Sequence, residues 1–109
     1  MARSPHRFDI WLVDLNPVRG SELAKTRPCV VVSPDEVNTR FKTHLAVPLT
    51  STRRSWPHRV AVDFAGVEGE LATEHMRSLD RSRFIRHVGY LDEVTARRLS
   101  EHLIEMFSL

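Results

Sequence analysis

The chain has 109 residues, 41% of them hydrophobic, which is enough for one domain, expected across residues 1–109, with one modest core. No stretch approaches the roughly 18 consecutive apolar residues of a membrane span, and basic Met1–Phe8 lacks the apolar segment of a secretion signal, so a cytoplasmic protein with no membrane partner is expected. Net charge is only +2, but Arg53, Arg54, His58 and Arg59 cluster, as do Arg77, Arg81, Arg83, Arg86 and His87, a distribution that suits a polyanion partner or a merely solvated basic face.

Phe8–Leu15 is rich in aromatic and aliphatic residues and predicts a strand closed by Asn16-Pro17. Trp11 within it belongs to the core or to a dimer contact. Val18–Lys25, with Gly20 and mixed charge, predicts a loop, and Pro28 biases Arg27 to extended backbone. Cys29–Val32 then predicts a buried strand. As the only cysteine, Cys29 excludes an intrachain disulfide and a cysteine-rich metal site, and its three valine neighbours mark a buried structural thiol. Ser33-Pro34-Asp35-Glu36 predicts a short helix with Ser33 as N-cap and Glu36 completing a capping box.

His44–Leu49 predicts the next strand, and polar, basic Thr50–Pro57 a long hairpin loop. Arg59–Phe64 alternates as a half-exposed strand does, with Val60, Val62 and Phe64 on one side. Gly66 and Gly69 predict breaks. Glu70–Leu79 and Phe84–Tyr90 predict further strands around a turn at Asp80–Arg83. From Asp92, a plausible N-cap, the period becomes helical, with Val94, Leu99, Leu103, Met106 and Phe107 in one stripe. Many short strands, a short insert helix and a terminal amphipathic helix predict a mainly β fold, a strongly curved antiparallel sheet or barrel with a helix packed on it.

The six histidines lack ligand spacing, and no HExxH, CxxC, phosphate-binding Gly-rich loop or GxSxG elbow occurs. No cofactor is implied. Chemistry is left to polar and basic residues at strand ends and in loops. Asp9-Ile10-Trp11-Leu12-Val13-Asp14-Leu15-Asn16-Pro17, then Gly20-Ser21-Glu22, then Thr26-Arg27-Pro28, resembles the opening of the MazF/PemK toxins, the ribonuclease halves of bacterial toxin–antitoxin pairs. The likeness continues through Val32-Ser33-Pro34, Val47-Pro48-Leu49-Thr50-Ser51 and Met76-Arg77-Ser78-Leu79-Asp80, and so covers nearly the whole chain.

The resemblance implies an SH3-like barrel, a homodimer, a cognate acidic antitoxin, and metal-independent cleavage of single-stranded RNA at a short sequence. It places the catalytic pair on Arg27 and Thr50. The residue chemistry agrees. RNA brings its own nucleophile, the 2′-OH, so the protein must align it, neutralise charge on the phosphoryl oxygens and assist proton movement. Arg27 suits the second task because a planar guanidinium grips two phosphate oxygens. With its pKa above about 12, arginine is better suited to clamp phosphate than to act as general acid. Thr50 can donate to a phosphate oxygen, or simply satisfy backbone groups at a strand end.

The general base stays open. Glu22 is one candidate, or a carboxylate that orients Arg27. His75 is another, because Glu74-His75 stands where the family usually has Asp-Gln; a packed or solvated histidine is the alternative. Some relatives carry an arginine at the position of Ala72, so no catalytic role transfers there. RNA contacts are expected from Ser51, Arg53, Arg54, Glu74, His75 and Arg77. Trp56 either stacks on a base or caps the barrel edge. Two readings compete with RNA cleavage. One is a non-enzymatic gyrase inhibitor like CcdB, and the other is a plain nucleic-acid-binding SH3-like module. The motif fixes neither the cleavage sequence nor the antitoxin.

Overall fold

Three strands carry apolar side chains on both faces, and this decides the architecture. In the computed structural model, which describes residues 4–17, 20 and 25–109, β1 spans Asp9–Asp14, β2 Thr26–Val31 and β3 Thr43–Thr50. Successive side chains of a strand point to opposite faces. Ile10, Val30 and Val47 thus enter one core with Val60, Val62, Leu71 and Leu99. Trp11, Val13, Cys29, Val31 and Ala46 enter a second, with Leu79 and Phe84. Trp11 is therefore a core residue, edge-to-face with Phe84, and its indole N–H donates to Asp9.

β4 (Val60–Phe64) and β5 (Val67–Leu71) form a hairpin, followed by β6 (Arg77–Asp80) and β7 (Phe84–Tyr90). All pairings are antiparallel, in the order β4-β5-β3-β2-β1-β7, with β6 added against β3. β3 changes partners along its length: Thr43–Ala46 pair with β6, Ala46–Pro48 with β2, and Leu49 and Thr50 with β5. The resulting sheet curls into a half-barrel. The helix α1 (Asp35–Arg40) is a short insert, and α2 (Glu93–Phe107) lays Ala96 and Leu99 on the first core. Asp92 caps α2, its carboxylate accepting from the Thr95 amide at 2.8 Å. The mainly β, curved antiparallel fold with its two helices is as expected.

Several local expectations need correction. Pro34, not Ser33, occupies the N-cap of α1 and makes no side-chain cap. Ser33 is buried instead, donating to Asn38 Oδ1 at 2.6 Å and accepting from the Leu45 amide at 3.1 Å. Gly69 does not break the chain but lies inside β5, where a Cβ would stand 2.6 Å from the Thr50 carbonyl oxygen. The hairpin turn falls earlier, at Ala65 and Gly66, both with positive φ (53° and 78°) as a tight hairpin requires. Glu70–Leu79 is not one strand, because a 3₁₀ turn at Thr73–His75 separates β5 from β6. Nor is Thr50–Pro57 a hairpin loop: β3 pairs with β5, so residues 51–59 cross over to β4. On α2, Val94 and Phe107 are exposed, and Thr95, Ala96 and Leu99 make the buried stripe. The predicted loop Val18–Lys25 lies largely outside the described residues.

Candidate active site

Arg27 and Thr50 come from neighbouring strands and meet at one cavity. Arg27 is half-buried near the start of β2, opposite Val13, and is followed by Pro28. Thr50 ends β3 and is buried, with its Oγ1 accepting from the Thr52 amide at 3.2 Å. Accepting leaves the hydroxyl hydrogen available for a second partner. Both residues line a cavity of about 230 Å³ together with Thr52, Arg54, Trp56, Arg59 and His75. A second cavity, of about 440 Å³, also uses Arg27, here with Ser51 and the apolar Pro28, Leu49, Phe64 and Val67. Arg27 thus borders a cationic cavity and an apolar one.

Residues 51–59 supply much of the first cavity, and Ser55 and His58 in this segment both have positive φ (52° and 67°), a conformation that costs a non-glycine residue about 1 kcal/mol or more. Such a segment needs outside anchors. Glu70 provides them from β5: Oε1 accepts from the Arg54 amide at 2.8 Å, and Oε2 from the Ser55 amide at 3.1 Å. Thr73 adds a hydrogen bond to the His58 carbonyl at 2.7 Å. Arg59 completes the anchor, with Nη1 3.1 Å from Glu70 Oε1 and Nε 2.8 Å from each oxygen of Glu74. Its Nη2 also bonds Glu74. The Arg59 and Glu70 side chains are each only 5% exposed, so this is a buried ion cluster.

The charges lock one another. The Arg54 amide, then the Ser55 amide and Arg59, hold the Glu70 carboxyl below its ordinary range against the opposing effect of burial. At Glu74, burial pushes the pKa up, but hydrogen bonding and charge from Arg59 outweigh it and the net shift is downward. Arg59 is held more firmly protonated, chiefly by its hydrogen bonds to Glu74. Above this cluster sits Trp56, half-exposed, with the Arg59 guanidinium 4.9 Å and that of Arg54 5.5 Å from its ring centroid.

The sequence-predicted residues therefore divide. Arg27, Thr50, Arg54, Trp56 and His75 gather at the cationic cavity, and Ser51 lines the apolar one. Arg53 pairs with Asp63 on β4 at 3.7 Å, Arg77 reaches the Leu15 carbonyl at 3.5 Å, and neither lines these two cavities. Glu74 is engaged by Arg59, and Glu22 lies outside the described residues. Sequence reasoning missed the roles of Arg59 and Glu70. The only local signal was an acid in a strand next to Leu71, and its partner lies eleven residues away across a hairpin. Among the described residues, no group of three or more His, Cys, Asp or Glu side chains is placed to hold a metal ion. No helix among them is long and apolar enough to cross a membrane.

The curled antiparallel sheet with its terminal helix is a half-barrel fold. The structure is similar to MazF from Deinococcus radiodurans, with a TM-score of 0.87 and 25% identity, covering 99% of this chain and 100% of that one. It shares its fold with an endoribonuclease solved in complex with its cognate antitoxin from a mycobacterial species, with a TM-score of 0.79 and 22% identity, covering 94% and 93%. Residues 6–107 match the family described as PemK-like, MazF-like toxin of type II toxin-antitoxin system, and the chain belongs to that family. Endoribonuclease MazF9 of Mycobacterium tuberculosis is 35% identical over 107 residues, spanning 89% of this chain and 91% of its own. The resemblance carried by Asp9–Pro17, Thr26-Arg27-Pro28 and Val47–Ser51 is thereby borne out.

Proposed function

We propose that this chain acts as one domain, a cytoplasmic endoribonuclease toxin that cuts single-stranded RNA at a short sequence without a metal ion. The observation that carries this reading is the meeting of Arg27 and Thr50 at one cationic cavity beside Trp56. The substrate's 2′-oxygen bonds to the adjacent phosphorus as the P–O5′ bond breaks, leaving a 2′,3′-cyclic phosphate and a 5′-OH. Arg27 grips the phosphoryl oxygens and neutralises the charge that builds on them. Thr50 donates to the same group and fixes its orientation. Glu22 enters as the residue that orients Arg27 or takes a proton. Arg54 binds backbone phosphate, Trp56 stacks a base, and Ser51 meets the neighbouring nucleotide from the apolar side. Arg53, Glu74 and Arg77 serve at the margin, Glu74 through Arg59.

Metal independence is supported by the division of labour. The RNA supplies the nucleophile, and the cavity supplies fixed cations where a metal would otherwise neutralise charge. The partner in this reading is an acidic antitoxin segment, drawn to residues 51–59 by the charges that attract RNA. The reading also includes a homodimer, for which exposed Val94, Ile104 and Phe107 on α2 and Ile85 on β7 offer apolar surface.

The test is incubation of purified protein with mixed-sequence RNA in EDTA, followed by mapping of 5′-OH ends. Cleavage is expected to persist in EDTA and to fall by about 10²–10³-fold in Arg27→Ala, the usual scale for losing one oxyanion-stabilising donor. RNA left intact at high protein concentration overturns the enzyme reading. RNA bound but uncut favours the binding module.

A further inference from the structure

Cleavage through the 2′-OH requires a group that takes its proton, and the cationic cavity narrows the choice. Arginine does not deprotonate in proteins, and threonine is no base near neutrality. Among the described residues, the two acids beside the cavity are already committed. Glu70 accepts from two backbone amides and Arg59, and both oxygens of Glu74 are engaged by Arg59. Both carboxyls are held below their ordinary range, which makes them weaker bases. Among the described residues that line the cavity, His75 brings the remaining side chain with a nitrogen able to accept a proton.

We propose that His75 is the general base of the cleavage step, which leaves Glu22 to orient Arg27; the role rests on the RNA-cutting reading above. His75 ends the 3₁₀ turn between β5 and β6 and lines the cavity with Arg27 and Thr50. Its side chain is 22% exposed, and its Nε2 lies 3.8 Å from Glu74 Oε2. The charged groups facing the same space are Glu74 on its own turn, Arg27 from β2, and Arg54 and Arg59 from the crossover segment. Glu74 is placed to balance the charge the ring gains, while Arg59 fixes Glu74. In the step, the imidazole takes the 2′-OH proton as the 2′-oxygen bonds to phosphorus. The 5′-oxygen leaves with the electron pair of the P–O5′ bond and takes a proton from water. His75 then returns its proton to solvent, which restores the balance. The 3₁₀ turn, which the sequence did not announce, is what turns this histidine from a strand residue into one that faces the cavity.

The experiment compares wild type, His75→Ala and His75→Gln on one cleavable oligoribonucleotide across pH 5–9, with a 2′-deoxy analogue at the cut position as a binding probe. Wild-type kcat/KM is expected to rise with pH along one limb, because the base must be unprotonated to act. Both variants should lose that limb and about 10²–10⁴-fold in kcat, the ordinary contribution of general base catalysis, while binding the 2′-deoxy analogue as wild type does. The proposal is overturned if either variant keeps the limb with wild-type kcat. It is equally overturned if KM rises while kcat holds, which marks a binding role. Wild-type protein that binds the oligonucleotide and never cuts it sinks the RNA-cutting reading itself, and the base with it. If His75→Ala melts early, the near-isosteric glutamine variant carries the comparison.

Discussion

Among the buried polar clusters of the described residues, two are neutralised by different means. Beneath the cleft, Arg59, Glu70 and Glu74 are fully charged and pin the crossover segment by its amides. Between α1 and β3, the cluster is neutral. Ser33 donates to Asn38 Oδ1 at 2.6 Å, the Asn38 amide group donates to the Ser33 carbonyl at 2.9 Å, and His44 Nδ1 lies 3.1 Å from Asn38 Oδ1. Buried His44 Nε2 has no hydrogen-bond partner among the described residues, so a proton there would have nowhere to point. The charged cluster holds a strained segment against a cavity, while the neutral one stitches an insert helix to the core. The first tolerates acid and fails if one ion is deleted. The second tolerates no added charge.

The largest expected effect comes from deleting the cation. Arg59→Met leaves Glu70 buried without its counter-ion and should cost about 3–5 kcal/mol, read from denaturant melts, because an uncompensated buried charge is expensive. A loss below about 1 kcal/mol would mean that water reaches the cluster and that the amides alone hold the segment.

Acid should separate the two clusters by pH window. Burial first, then the charge of Arg81, hold His44 below its ordinary value of 6.5, with Asp80 opposing. The unfolded chain therefore takes up this proton first. The stability from neutral His44 is complete above about pH 6.5 and drains away as pH falls toward the depressed folded value. Glu70 and Glu74 are also depressed, from 4.5, so their contribution persists above about pH 4.5 and is lost only as pH falls further, through their folded values. Between pH 7 and 5 the wild-type melting midpoint should fall more steeply than that of His44→Gln, while Glu70→Gln should keep the wild-type slope. Parallel slopes for wild type and His44→Gln would erase the distinction.

The smallest effect is expected at an exposed ion pair next to the charged cluster. Arg53 and Asp63 meet at 3.7 Å with side chains 41% and 73% exposed. Arg53→Ala should shift stability by about 0–1 kcal/mol, as surface pairs do. A larger loss would show that the segment depends on this outer contact as well as on Glu70.

The same contrast explains what the sequence could and could not disclose. Elements specified by their own residues were legible: the run Cys29–Val32, the alternation of Val60 and Val62, and the cap at Asp92. Arg27 and Thr50 were singled out by the resemblance, and their strands bring them to one cavity. Readings failed where the partner is distant in sequence. Ser33 had the local pattern of a cap, but Asn38 and the Leu45 amide claim its hydroxyl. Gly69 looked like a stop, but it permits the Thr50 carbonyl to approach. Thr50–Pro57 looked like a long hairpin loop, because nothing local reveals that β3 pairs with β5. Nothing local marked Glu70 as an anchor, since its burial depends on Arg59 arriving from the crossover segment.

Cys29 lies two residues beyond Arg27, with Trp11 and Pro48 as its register neighbours, and is fully buried. Burial pushes its thiol up to about 12, against the opposing charges of Arg27 and Arg77. Alkylating reagents attack thiolates, so a folded molecule should resist them and an opened one should react at once. The protein thus carries its own stopwatch: the rate at which Cys29 is labelled times the parting of β1, β2 and β3. Any ligand that settles on Arg27 in the closed state should slow the watch in proportion to its occupancy.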